Sequence, residues 1–163
     1  GYRIGWAAPG RFARAVARHK LTSTLSASAP AQAALALYLE RGGFDKHLRK
    51  LRAALAAQQA VFAQAVGHYF PPGTRATRAE GGCFLWVELP EGTDCMALFR
   101  LCAAQGITFG PGPLFTATDR YRNCLRLSFS GAWDVPTQEA LAVVGQMACR
   151  VVASVDTSHP MAA

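Results

Sequence analysis

Two arginines stand where a guanidinium could do chemistry. Arg126 interrupts an apolar run, Leu125-Arg126-Leu127, and a charge there is expensive unless an anion pairs with it. Side chains alternate along a strand, so Arg126 falls on the face opposite Leu125 and Leu127. It is either a clamp for a ligand carboxylate or a half-exposed residue on an ordinary strand face. Arg3 opens a short apolar segment and is flanked by Gly1 and Gly5. A guanidinium among small neighbours can grip a phosphate through two parallel hydrogen bonds; an ion-paired surface arginine is the alternative.

Gly81-Gly82 ahead of one apolar segment and Gly110-Pro111-Gly112-Pro113 after another could turn backbone amides toward an anion. Both also read as plain turns. Neither matches a P-loop, and no G-x-G-x-x-G occurs. The cysteines Cys83, Cys95, Cys102, Cys124 and Cys149 form no C-x-x-C pair, and none sits at metal-ligand spacing to His19, His47, His68 or His159. Each lies in an apolar stretch and reads as a free thiol filling the core, so no metal is expected. An odd, unpaired set fits a reducing cytoplasm better than a disulfide framework. The histidines show no Ser/His/Asp or Cys/His arrangement. His68, near a helix end, reads as structural, and Trp6, Trp86 and Trp133 as fillers of core or domain seams.

The elements that must position these residues follow from patterning. The 163 residues are 51% hydrophobic and 17% charged, enough apolar content for a real core and too few charges for a disordered tail. No apolar run approaches the ~18–20 residues of a membrane-crossing helix. Gly1 to Gly10 lack the layout of a signal peptide, and the chain, opening without Met, reads as a piece of something longer. Residues 1–78 carry twelve Lys/Arg against Glu40 and Asp45, whereas residues 79–163 carry five against eight acids. A basic first half suits nucleic acid, an anionic cofactor, an acidic partner or solvated helix faces.

Residues 3–8 predict a short buried strand closed by Pro9-Gly10. Arg11 to Leu21 have helical spacing, and Thr22 to Ser28 form a hydroxyl-rich loop or helix entrance. Residues 30–41 predict a helix with Pro30 near its first turn and Gly42-Gly43 as its stop. Phe44, Leu48, Leu51, Leu55, Phe62, Val66 and Tyr69 then recur at helical steps over about 26 residues, a helix of roughly 39 Å, ended by Pro71-Pro72-Gly73. Strands follow at Cys83–Leu89, 107–110 and Cys124–Phe129. Asp94 caps a helix from Cys95 to Gln105, and Asp134 with Pro136 opens a last helix to near Val152. The tail from Ser154 to Ala163 has no apolar period and is expected to be disordered. The sum is α/β (α+β): helices on a small sheet, preceded by the end of a different unit.

Four segments, Gly1-Tyr2-Arg3-Ile4-Gly5-Trp6, Ser28-Ala29-Pro30-Ala31-Gln32, Gly81-Gly82-Cys83-Phe84-Leu85-Trp86 and Asn123-Cys124-Leu125-Arg126-Leu127, come in an order and spacing that resemble the C-terminal portion of fold-type I aminotransferases, which use pyridoxal phosphate. The resemblance covers about residues 1–152. Within that superfamily, Gly110-Pro111-Gly112-Pro113-Leu114-Phe115, Tyr121 to Leu127 and Trp133-Asp134 are most similar to MocR-type regulators of the GntR family, which join a winged-helix DNA-binding domain to an aminotransferase-like domain. The resemblance implies that Arg3 binds the cofactor phosphate and Arg126 the α-carboxylate of a substrate or effector. It implies that Thr22 to Ser28 lie near the partner subunit's active site in a homodimer. It also implies that residues 1–42 are a remnant of the large cofactor-binding domain, and that residues 43–153 are a long connecting helix plus the small C-terminal domain.

In the family the Schiff-base lysine precedes the Gly-x-Arg-x-Gly motif, and Lys20, Lys46 and Lys50 do not match its position. No catalytic residue is therefore expected in this chain, which should neither hold pyridoxal phosphate nor transaminate by itself. The expected function is that of a fragment of the effector-sensing domain of such a regulator, with DNA bound only through another domain. The alternatives are a fragment of a free-standing aminotransferase and a basic module binding nucleic acid through residues 11–52. Residues 1–42, without their sheet neighbours, are expected to repack or to drive dimerisation through exposed apolar surface.

Overall fold

A computed structural model describes residues 2–158. The chain divides into two units between Lys50 and Leu51, later than the boundary expected after residue 42 and inside a helix. In the first unit, residues 2–9 adopt no regular structure. The strand expected at 3–8 is absent because no strand of the sheet pairs with it, and an unpaired strand leaves its backbone groups to solvent. Trp6, expected to fill a core or seam, is 88% exposed. A 3-10 turn, Gly10–Phe12, leads into α1, Ala13–Ser23. The hydroxyl-rich segment stops that helix: Thr22 Oγ1 donates to the His19 carbonyl at 3.0 Å, and the Thr24 N–H donates to that of Lys20 at 2.9 Å. Helix α2, Ala29–Glu40, carries Pro30 in its first turn and gives way to Gly42 at φ +73°, a conformation glycine adopts without strain. Tyr38 meets Phe44 edge-on at 6.5 Å. Among the described residues of this unit only Ala31 is buried.

Helix α3, Phe44–Tyr69, has the 26 residues that its apolar spacing predicts. The second unit contains its later turns, then β1 (Arg75–Ala76), β2 (Phe84–Glu88), α4 (Cys95–Ala103), β3 (Gly110–Pro111), a 3-10 turn (Gly112–Phe115), β4 (Cys124–Ser128) and α5 (Val135–Ser158). The sheet is antiparallel in the order β1-β2-β4-β3. Leu85 and Val87 on β2 oppose Leu127 and Leu125 on β4. All four are buried, together with Phe62 and Val66 of α3, Leu98 and Cys102 of α4, and Leu141, Val144 and Ala148 of α5. Helices therefore cover one sheet face. On the other, Phe84 is exposed and Trp86 and Arg126 are half-buried.

Asp94 caps α4 as its position predicts, its carboxylate accepting from the Met96 and Ala97 N–H groups at 2.8 and 3.1 Å. Asp134 does the same for the Thr137 N–H at 3.0 Å. In the second unit three further elements differ from expectation. Strand β1 has only two residues, too few for a period to show. Of residues 107–110 only Gly110 enters the ladder, because the Ile107 N–H still bonds the Cys102 carbonyl and Ile107 and Phe109 pack against the core. Helix α5 continues to Ser158, since the first proline after Pro136 is Pro160. It thus takes in the first five residues of the expected tail; residues 159–163 lie outside the described ones, as does Gly1.

Candidate functional site

Arg126 sits in β4 between two neighbours, opposite Trp86 of β2 and Gly110 of β3. Period-2 alternation puts it on the face away from the buried Leu125 and Leu127, as the sequence predicts. Its guanidinium carbon lies 4.1 Å from the centre of the Phe84 ring and 4.3 Å from that of Phe115, distances at which a ring quadrupole attracts a cation. Phe115 meets Trp86 edge-on at 5.8 Å, and Trp86 meets Tyr121 at 5.3 Å. Arg120 lies 5.5 Å over Tyr121. An aromatic and cationic layer thus lines the open sheet face. Among the described residues the one ion pair is Arg75–Glu88, exposed, at 2.9 Å; no carboxylate neutralises Arg126. Its N–H edges are available to an external anion. It also borders a cavity of about 300 Å³ whose walls include Phe84, Phe109, Ser128 and Leu141.

The backbone around β4 is held from several sides. The Asn123 side chain donates to the Leu89 carbonyl at 2.6 Å, and the Leu89 N–H returns a bond to the Asn123 carbonyl at 2.9 Å. The Cys95 N–H donates to the Arg122 carbonyl at 2.9 Å, tying the start of α4 to the same turn. At Gly112 an added Cβ would collide with the carbonyl oxygens of Tyr121 and Cys124. The Gly-Pro-Gly-Pro segment therefore serves close packing. Gly82, at φ +82°, turns the chain into β2.

Burial pushes the Cys95 thiol up to about 12, with the nearby Cys124 adding to the effect. Burial also raises Cys102 and Cys124, so none of the three is a thiolate nucleophile near neutral pH. Cys149 is exposed and Cys83 half-buried. No metal-binding cluster occurs among the described residues. His68 stacks edge-on with Tyr69 at 4.8 Å. Trp133 packs 4.9 Å from Phe62 at the core margin.

Arg3 is exposed, has no ion pair among the described residues, and adopts φ +56°. A left-handed backbone is uncommon outside glycine. Arg3 belongs to the first unit and Arg126 to the second. The sequence alone did not single out Phe84 and Phe115 beside Arg126, nor Tyr121 against Trp86. For Phe84 a signal existed, since residues 84, 86 and 88 share a strand face. Phe115 reaches the site through an irregular turn that no period reveals.

The second unit is thus an α/β domain: a small antiparallel sheet with helices on one face and, on the other, an arginine without an ion-pair partner among the described residues. The chain belongs to the class I and II aminotransferase family, whose profile matches residues 1–144. It is 35% identical over 147 residues to the uncharacterized HTH-type transcriptional regulator YdcR of Escherichia coli, 90% of this chain and 31% of that protein. It is 33% identical over 131 residues to aromatic-amino-acid aminotransferase 1 of Thermococcus litoralis, 80% of this chain and 31% of the enzyme. The crystal structure of the multiple substrate aminotransferase from Thermococcus profundus superimposes with a TM-score of 0.79 at 28% identity, over 94% of this chain and 38% of that one. The chain thus spans about a third of the length of the curated relatives it matches. A second relative, 31% identical over 152 residues, is likewise an uncharacterized HTH-type transcriptional regulator, YjiR of Escherichia coli.

Proposed function

We propose that these residues form part of the effector-sensing, aminotransferase-like domain of a MocR-type transcriptional regulator. The observation that carries this reading is Arg126: a half-buried cation on an open sheet face, without a carboxylate partner among the described residues, in a chain of the aminotransferase family. Its two in-plane N–H edges match the fork of a carboxylate, so Arg126 would bind and orient the α-carboxylate of an amino-acid-like effector. Arg3, exposed and unpaired by any acid among the described residues, fits one contact to the phosphate of pyridoxal phosphate. When bound in the complete protein, that cofactor supplies an electrophilic carbon for the effector's amine.

In this reading residues 1–42 belong to the large cofactor domain, residues 43–153 to the connecting helix and small domain, and the complete protein is a cytoplasmic homodimer. DNA is bound by another domain. No helix among the described residues is long and apolar enough to cross a membrane. The chain by itself has no turnover. A free-standing aminotransferase is the second reading, favoured by the 33% identity to the Thermococcus litoralis enzyme.

Reading the coding sequence upstream separates the two. A winged helix and linker ahead of a cofactor domain is expected; a cofactor domain with no DNA-binding module would favour the enzyme. The chain alone, mixed with pyridoxal phosphate and gel-filtered, should retain no cofactor absorbance. A stable yellow complex would contradict the assignment.

A further inference from the structure

The surroundings of Arg126 contain more than a carboxylate clamp requires. Phe84 comes from β2 as the diagonal neighbour of Arg126, and Phe115 from the 3-10 turn after β3. Their rings lie 4.1 and 4.3 Å from the guanidinium carbon. Stacking over a guanidinium leaves its edge hydrogens free while restricting the plane in which they point. Phe115 keeps its place only because position 110 has no side chain. A Cβ there would stand 2.9 Å from Phe115 Cζ and 3.1 Å from Cε2. Trp86 packs edge-on against that ring at 5.8 Å.

Resting on the reading of Arg126 as the carboxylate clamp, we propose that Gly110, Phe115 and Phe84 are its positioning residues. Gly110 vacates the space that Phe115 fills, and the two phenyl rings hold the guanidinium so that its N–H edge meets a carboxylate in plane. A flexible arginine loses side-chain entropy when it grips a ligand. An arginine already stacked has lost part of it beforehand, so the rings raise affinity for the carboxylate without touching it. The aromatic faces also offset the missing countercharge without occupying the in-plane donors, as a carboxylate would.

The test uses the full chain and two probes: 4-methylvalerate, which carries a carboxylate, and its uncharged amide, 4-methylvaleramide. The Arg126 Nε–H resonance should lie upfield through the ring currents and move with the carboxylate but not with the amide. Phe115→Leu and Gly110→Ala should each shift the free resonance downfield and weaken 4-methylvalerate about fivefold to tenfold, the scale of a cation–π contact. Gly110→Ala in the Phe115→Leu background should add nothing, because the clash it creates is then absent. Phe84 and Phe115 are 43% and 41% exposed, so the variants should keep the wild-type unfolding midpoint, and Phe84→Leu serves as a second check. A wild-type resonance indifferent to 4-methylvalerate would overturn the clamp reading and this proposal with it. Equal affinities in wild type and variants, with the wild-type response intact, would overturn the positioning role alone.

Discussion

At Gly112 the fold has no room for a side chain, because the carbonyls of Tyr121 and Cys124 close over it. These are backbone atoms and cannot swing aside, so Gly112→Ala should cost about 3 kcal/mol, at the upper end of overpacking penalties. Urea denaturation measures it; an unchanged midpoint would mean that the turn is looser than drawn. Gly110 is a different case, since what it would meet is a half-exposed ring. Two glycines in one Gly-Pro-Gly-Pro segment thus act at separate levels, one on stability and one on the site. Their roles were not legible in the sequence, where the segment is equally a turn or an anion loop. Arg126 was legible, because a charge within an alternating apolar strand can only face outward or find a partner. Its aromatic companions were only half legible: Phe84 shares its face by period, but Phe115 arrives by tertiary folding.

Helices with strong local signals formed where the residues place them. Helix α3 keeps its period from Phe44 to Tyr69, and α4 begins behind the Asp94 cap. Asp94→Ala removes an acceptor for two N–H groups and should lower stability by about 1 kcal/mol, with Asp94→Asn recovering most of it. Thermal unfolding reads both, and equal midpoints for wild type and the alanine variant would show the cap to be idle. Strands were less legible, since a strand is completed by its neighbour. Residues 3–8 have an apolar pattern but no sheet partner, so they form no strand. Residues 107–109 have one as well, and packing against the core claims Ile107 and Phe109 instead.

For the molecule as a whole, the two units differ in what holds them. The second has a continuous buried core, whereas among the described residues of the first only Ala31 is buried and Tyr2, Trp6, Phe12 and Leu25 stand open to solvent. Limited proteolysis should therefore cut within residues 2–50 while residues 51–154 survive, and simultaneous loss of both would contradict the division. The core also contains the buried thiols. At pH 8 a thiol reagent should label Cys149 first and leave Cys95, Cys102 and Cys124 unreacted until unfolding. Cys95 is raised in the folded state from 9.0 to about 12, so above pH 9 the unfolded chain releases a proton that the folded chain retains. Its contribution to stability is present below pH 9 and is lost as pH rises toward 12; stability that increased over that range would contradict the buried assignment. The proposed recognition of a carboxylate by Arg126 is read by titrating L-leucine and its decarboxylated counterpart, isoamylamine, into full-length protein with and without Arg126→Lys. An ammonium cannot reproduce the bidentate fork, so leucine affinity should fall about tenfold or more while isoamylamine affinity is unchanged. Equal leucine affinity in both proteins would remove Arg126 from that role.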